Sequence, residues 1–212
     1  MLKINTYPLG PIQTNCYIIQ DEARNCLIID PGEESGRIIR KVVSQELMPV
    51  AILLTHAHFD HIGAVDSIRD RFNIPVYIHE EESEWLSDPK LNGSAKYPSI
   101  PDVCNRQADH LISQEGIMEV GPFTFEVRHT PGHSPGSVSF IFEDARFAVV
   151  GDTLFKQSVG RTDLPGANTG VLLDSIHTKL LTLDDEFIIY PGHDSSTTPG
   201  DEKDSNPYLK GF

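Results

Sequence analysis

The 212-residue chain predicts an α/β protein built from two similar halves. Two features of the sequence carry this reading. Short aliphatic runs of strand length alternate with longer amphipathic stretches of helical period. Their order is strands, helix, strands, and then strands, helix, strand. The composition agrees: 39% hydrophobic and 23% charged residues are ordinary for a globular chain of a length that can bury a sizeable core.

Along the chain, Leu2 to Asn5, Cys16 to Ile19 and Cys26 to Ile29 read as strands, the first two parted by Pro8-Leu-Gly-Pro11. Glu33 to Leu47 reads as a helix. Ile38, Ile39, Val42, Val43 and Leu47 mark its apolar face, and Glu33 and Glu34 sit favourably at its start. Val50 to Leu54 is a buried strand, Ile62 to Phe72 the next helix and Val76 to His79 a short strand. Phe123 to Arg128, Ser137 to Phe142 and Phe147 to Val150 are strands again, Val171 to Leu183 is helical, and Phe187 to Ile189 is the last strand. Glu80 to Arg106 breaks the pattern, with Trp85, Pro89, Pro98 and Pro101 among polar residues. It reads either as a lid or substrate-facing loop or as a surface connection anchored by Trp85.

The most informative stretch is Thr55-His-Ala-His-Phe-Asp-His61, directly after the buried strand. Three imidazoles and a carboxylate in six positions suit neither a helix nor a plain surface loop. These groups are the usual protein ligands of zinc and its first-row neighbours. Three later places share the grammar of apolar strand, turn residue and ligand-type side chain. They are His133 in Thr130-Pro-Gly-His-Ser-Pro-Gly136, Asp152 in Gly151-Asp-Thr, and His193 in Tyr190-Pro-Gly-His. Glycine and proline there set tight turns and let backbone approach a metal closely.

The ordered set His56-x-His58-x-Asp60-His61, His133, Asp152 and His193 resembles the metallo-β-lactamase superfamily, in particular its glyoxalase II-like hydroxyacylglutathione hydrolases. Gly151-Asp-Thr-Leu-Phe155, Gly160-Arg-Thr-Asp163 and Tyr190-Pro-Gly-His193 resemble the same branch. The resemblance spans the chain, so residues 1–212 are expected to form one domain with an αββα sandwich, two mixed sheets carrying helices outside. It implies two divalent metals, zinc first, with iron or manganese possible. One would take His56, His58 and His133, the other Asp60, His61 and His193, with Asp152 bridging.

The implied activity is hydrolysis of a thioester such as S-D-lactoylglutathione. Paired metals lower the pKa of a bridging water and polarise the acyl carbonyl. Asp60 would orient the attacking oxygen. A thiolate leaves with little need of a proton, so no separate general acid is required. The resemblance also implies Arg161 as the residue that meets the glutathione backbone, with Lys156 a weaker choice and an ion pair to Asp163 the structural alternative. Ser195 to Phe212 is a short tail where long glyoxalase II enzymes carry basic helices, and Lys203 or Asn206 in it would be the groups to reach a site. β-Lactamases of the common zinc type carry cysteine where Asp152 stands, which speaks against lactam hydrolysis. A persulfide dioxygenase is the alternative: one iron on His56, His133 and Asp152, acting on glutathione persulfide.

The formal net charge of −14 speaks against nucleic acid, whose phosphates are held by Lys and Arg. No apolar run reaches membrane-spanning length, and Met-Leu-Lys-Ile-Asn-Thr-Tyr is too polar for a signal peptide. Three scattered cysteines without a C-x-x-C suggest the reducing cytoplasm. The expected partner is a small-molecule thioester, with no nucleic acid and no membrane.

Overall fold

The computed structural model describes residues 1–210. Its contacts group into two compact units, Met1–Ser113 with Val120–Phe123, and Gln114–Glu119 with Thr124 onward.

The first unit carries a six-stranded sheet whose strands lie side by side in chain order. They are β1 (Lys3–Leu9), β2 (Thr14–Gln20), β3 (Asn25–Ile29), β4 (Met48–Leu53), β5 (Val76–His79) and β6 (His110–Ile112). The first three pair antiparallel, and β3 to β6 pair parallel. Parallel neighbours need crossovers. Helix α1 (Ser35–Ser44) supplies the one from β3 to β4, and the helices α2 (Phe59–Ile62) and α3 (Val65–Phe72) that from β4 to β5. Cys16, Ile18, Cys26, Ile28, Ile52 and Leu54 share a core with Ile38 and Val42 of α1 and Val65 and Ile68 of α3. Their neighbours Tyr17, Ile19, Leu27, Ile29, Ala51 and Leu53 point to the opposite face and are buried as well. A sheet buried on both faces reads as continuous apolar runs, which is why these strands are plain in the sequence.

The departures have local causes. β1 runs through Pro8, which pairs with Asn15, because β1 is an edge strand and loses no ladder bond to the missing N–H. Helix α1 starts two residues later than expected, since Glu34 is left-handed at φ 49°. The single helix expected from Ile62 to Phe72 is two pieces. The first begins at Phe59, so Asp60 and His61 are on a helical turn after all, with extended His58 at its N-terminal boundary. The expectation that no helix enters this stretch is corrected there: one turn is too short to need an apolar face, and it turns His61 inward and Asp60 beside it.

The second unit carries a five-stranded sheet in the order β13-β10-β9-β8-β7. These are β7 (Gly116–Val120), β8 (Phe123–His129), β9 (Val138–Phe142), β10 (Phe147–Gly151) and β13 (Ile188–Pro191). β11 (Leu154–Phe155) and β12 (Ser158–Val159) form a separate small hairpin. β8, β9 and β10 pair antiparallel, while β13 lies parallel to β10. One face of the sheet packs Ile141, Ala148, Val150 and Ile189 against Leu172, Leu173 and Ile176. The last three belong to α4 (Thr169–Ser175) and the wider-wound turn Ile176–Leu180 that continues it. Phe140, Phe142 and Phe147 are buried on the other face, where the rings of Phe142 and Phe147 stack at 4.8 Å.

Asn168 caps α4 by accepting the Val171 N–H on its side-chain oxygen at 3.1 Å. Asn168→Ala is expected to cost about 1 kcal/mol, a fall in Tm of about 2–4 °C by differential scanning calorimetry. The short tail, to which the sequence reading assigns no element, contains α5 (Pro199–Ser205). Its sequence has no apolar period, but it has a start signal: Thr198 as cap, Pro199 in the first position, then Asp201 and Glu202 in the first turn. Phe212, the last residue of that tail, lies outside the described residues. No helix among the described residues is long and apolar enough to cross a membrane.

Candidate metal centre

In the first unit, the chain leaving β4 delivers His56, His58, Asp60 and His61 within one loop and one helical turn. The His56 ring lies 4.9 Å from that of His58 and 4.1 Å from that of His61. Nε2 of His61 stands 3.5 Å from Oδ2 of Asp60. In the second unit, His133 follows β8, Asp152 follows β10 and His193 follows β13. One oxygen, Oδ2 of Asp152, lies 3.6 Å from Nε2 of His133 and 3.5 Å from Nε2 of His193. Each unit therefore gathers the ligand-type residues that its own sequence offers.

These spacings carry chemical information. They exceed the usual N–H···O hydrogen-bond range of about 2.7–3.2 Å. Two ligand atoms on one zinc-like ion, with bonds of about 2.0–2.2 Å in tetrahedral geometry, stand roughly 3.3–3.6 Å apart. The Asp60–His61, His133–Asp152 and Asp152–His193 separations all fall at or near that value. The residues present fit divalent metal.

The ring nitrogens that face away from these ligand atoms are fixed from outside. Nδ1 of His133 lies 2.9 Å from the carbonyl oxygen of Arg161. A carbonyl only accepts, so Nδ1 carries the hydrogen and Nε2 presents its lone pair. Asp30 does the same work in the first unit. It is fully buried, and it accepts the Thr55 N–H at 2.8 Å, the Thr55 hydroxyl at 2.6 Å and Nδ1 of His61 at 3.0 Å. With its proton given to Asp30, the Thr55 hydroxyl accepts from Nδ1 of His56 at 3.0 Å. One buried carboxylate thus sets both His56 and His61 with Nε2 free of hydrogen. Thr14, at the start of β2, donates to Oδ2 of Asp60 at 2.8 Å.

Close backbone approach completes each half. A Cβ on Gly32 would meet the Asp60 carbonyl oxygen at 1.7 Å, and one on Gly160 would meet that of Asp152 at 1.9 Å. No larger residue fits either place without moving the ligand.

Asp30 and Thr14 were not foreseen as site residues. Asp30 was within reach, since Ile29-Asp-Pro-Gly32 also sets a ligand-type side chain beside a Pro-Gly turn at the end of an apolar strand, with the turn after the side chain where it precedes His133 and His193. Arg161 makes the ion pair named as its structural alternative, with Nε and Nη2 each 2.7 Å from an oxygen of Asp163, and its side chain is about half exposed. Lys203 pairs with Asp185 at 2.6 Å, and Asn206 is buried, donating to the Ser158 carbonyl at 3.0 Å and to Glu202 at 2.7 Å. Both are engaged in holding α5. In the Glu80–Arg106 segment, Trp85 is buried in the core of the first unit. Its ring lies 5.6 Å from that of His58, and the Asn92 carbonyl accepts the Phe59 N–H at 3.0 Å. The three cysteines are free thiols. Burial pushes Cys26 up to about 12 and Cys16 well above its usual range.

The chain belongs to the metallo-β-lactamase superfamily, whose family model matches residues 9–193. The superfamily is one of metallo-hydrolases that bind divalent metals, and membership in it places this chain in an enzyme class. It is 49% identical over 212 residues to a probable metallo-hydrolase of Bacillus subtilis, YqgX, covering 100% of this chain and 99% of that protein. It is 39% identical over 209 residues to the hydroxyacylglutathione hydrolase GloC of Haemophilus influenzae, covering 98% of each. The crystal structure of BLEG-1 B3 metallo-β-lactamase matches with a TM-score of 0.96 at 49% identity, over 99% of this chain and all of the other. The fold is accordingly the metallo-β-lactamase α/β sandwich that the motif order predicts.

Proposed function

We propose that the protein is a binuclear metal-dependent thioester hydrolase acting on S-D-lactoylglutathione or a related glutathione thioester. The observation that carries the reading is Oδ2 of Asp152, set at metal-ligand spacing from the Nε2 atoms of two histidines at once. A single carboxylate placed so can bridge two cations and screen their repulsion. His56, His58 and His133 would hold one metal and Asp60, His61 and His193 the other, with zinc the first choice and iron or manganese also suited to these ligands. Bound there, the metals supply an activated water and Lewis-acid polarisation of the acyl carbonyl. Asp60, its carboxylate held by Thr14, accepts a hydrogen bond from the attacking water and orients it. The acyl–sulfur bond breaks, the acyl group takes the oxygen, and the thiol leaves as thiolate. The similarity to GloC supports the choice of substrate.

Arg161 is the residue proposed to meet the glutathione backbone of the substrate. Arg161→Ala is expected to raise KM about tenfold with kcat within about twofold, the pattern of a lost binding contact to a charged group. Its pair with Asp163 is exposed, so Tm should not move. The Arg161 carbonyl that orients His133 survives the substitution.

A second reading, β-lactam hydrolysis, has one observation in its favour, the similarity to BLEG-1. The deciding experiment is metal analysis of the purified protein with three assays on the same sample. These are S-D-lactoylglutathione cleavage, nitrocefin cleavage, and oxygen uptake with glutathione persulfide. About two metals per chain with thioester cleavage supports the proposal. Nitrocefin cleavage without thioester cleavage moves the protein to the lactamase reading. A single iron with oxygen uptake moves it to the dioxygenase alternative.

A further inference from the structure

The loop that carries His56 and His58 is pinned by a residue that the hydrolase reading does not use. Glu82 lies in the short 3₁₀ segment Glu80–Leu86 that follows β5, and it is fully buried. Its Oε2 accepts the backbone N–H of Ala57 at 2.5 Å. Ala57 sits between the two histidines, so this bond fixes the His56–Ala57 peptide, directly after the Cα of His56 and one residue before that of His58. Glutamate is rarely buried without a strong reason. The same segment supplies the Trp85 ring beside His58, and Asn92 downstream takes the Phe59 N–H. Asn92 is itself buried, its side chain donating to the carbonyls of Trp85 and Val103 at 2.9 Å each.

We propose that Glu82 is a positioning residue for the metal arm, and that the 80–106 segment is a buttress that holds the His56-Ala57-His58 backbone rather than a lid. This rests on the metal-site reading above. Strands on both sides of β4 take part: Asp30 after β3 grips Thr55, and Glu82 after β5 grips Ala57. The loop between them has little freedom left, and His56 and His58 are held at a fixed separation before any metal arrives.

The test is a titration of the metal-free full-length protein with cobalt(II), followed by its visible absorption and by competition with a chromophoric chelator. Glu82→Gln keeps an acceptor oxygen of the same reach and should bind within about threefold of wild type, whereas Glu82→Ala removes the acceptor. Glu82→Asp retracts it by one methylene and stands in if the alanine variant does not fold. Either should weaken cobalt binding about tenfold or more and alter the absorption bands, the scale seen when groups that orient metal ligands are lost. Val42→Ala, a cavity in the core of the same unit, controls for general loosening. It should lower Tm yet bind cobalt within about threefold of wild type. Wild-type affinity and spectrum in Glu82→Asp or Glu82→Ala would overturn the proposal. So would equal losses in those variants and Val42→Ala. If wild type itself takes up no cobalt, the metal-site reading fails, and this one fails with it.

Discussion

Asp152→Asn is expected to lower kcat/KM for a thioester substrate about a thousandfold and to leave a folded protein. The substitution keeps the size of the side chain and one oxygen, and it removes the negative charge. In the proposed site that charge lies between two cations, with one oxygen at 3.6 Å from His133 and 3.5 Å from His193. A neutral amide neither screens the cations nor binds both firmly. Loss of a single preorganised electrostatic group costs about 10²–10³ in rate, and here the cost adds to reduced occupancy of a metal position. At about 1.4 kcal/mol per factor of ten, the expected deficit is roughly 4 kcal/mol in the transition state. Steady-state kinetics with metal analysis before and after dialysis against chelator checks it. The metal content should fall below that of wild type, while Tm of the metal-free protein stays within a few degrees. Wild-type activity with full metal content in this variant would remove the bridging role and with it the binuclear mechanism. Arg161→Ala provides the contrast, since its defect is in KM.

The two halves of the candidate site stand out in the sequence for a simple reason. The proposed metal ligands are polar groups at the ends of apolar strands, so they interrupt runs such as Val50 to Leu54 and Phe147 to Val150 where a change of residue type is conspicuous. The strands themselves were legible because residues on both faces are buried, Ile28 and Ile29 alike. The short and marginal elements were not. β6 and β7 are edge strands whose sequences mix exposed Leu111 and Ile117 with polar residues, and β11 and β12 have two residues each. Such elements are set by pairing with what is already folded, not by their own period. The helical turn at Phe59–Ile62 escaped for a related reason, because it is specified by Gly32 packing against the Asp60 carbonyl. Asp30, Thr14 and Glu82 went unread for a different reason. Each acts by a hydrogen bond to a residue 25 to 46 positions away, and only the sheet order brings those positions together.

Asp30 therefore makes the strongest test of how far the site depends on its supports. Its carboxylate has no exposure and takes three donors, two from Thr55 and one from His61. Asp30→Ala leaves all three buried without an acceptor, and it puts alanine at φ 49°, where aspartate and asparagine are tolerated far better. Removing one partner from a buried, hydrogen-bonded charge costs about 3–5 kcal/mol. For a chain of this length that is a fall in Tm of roughly 6–20 °C. Asp30→Asn separates folding from metal chemistry. Asparagine keeps the shape and the left-handed backbone but replaces one acceptor oxygen with an amide donor. The NH₂ then faces donors, and the way out for His61 is to move its hydrogen from Nδ1 to Nε2. Imidazole protonated on Nε2 cannot ligate through that atom. Metal affinity should therefore fall about 10–100-fold in Asp30→Asn, with a smaller loss of Tm than in Asp30→Ala. Calorimetry and a metal titration on both variants check the two effects separately. Undiminished metal binding by Asp30→Asn would mean that the ring of His61 is set by its packing alone, and Asp30 would then be a structural carboxylate and nothing more.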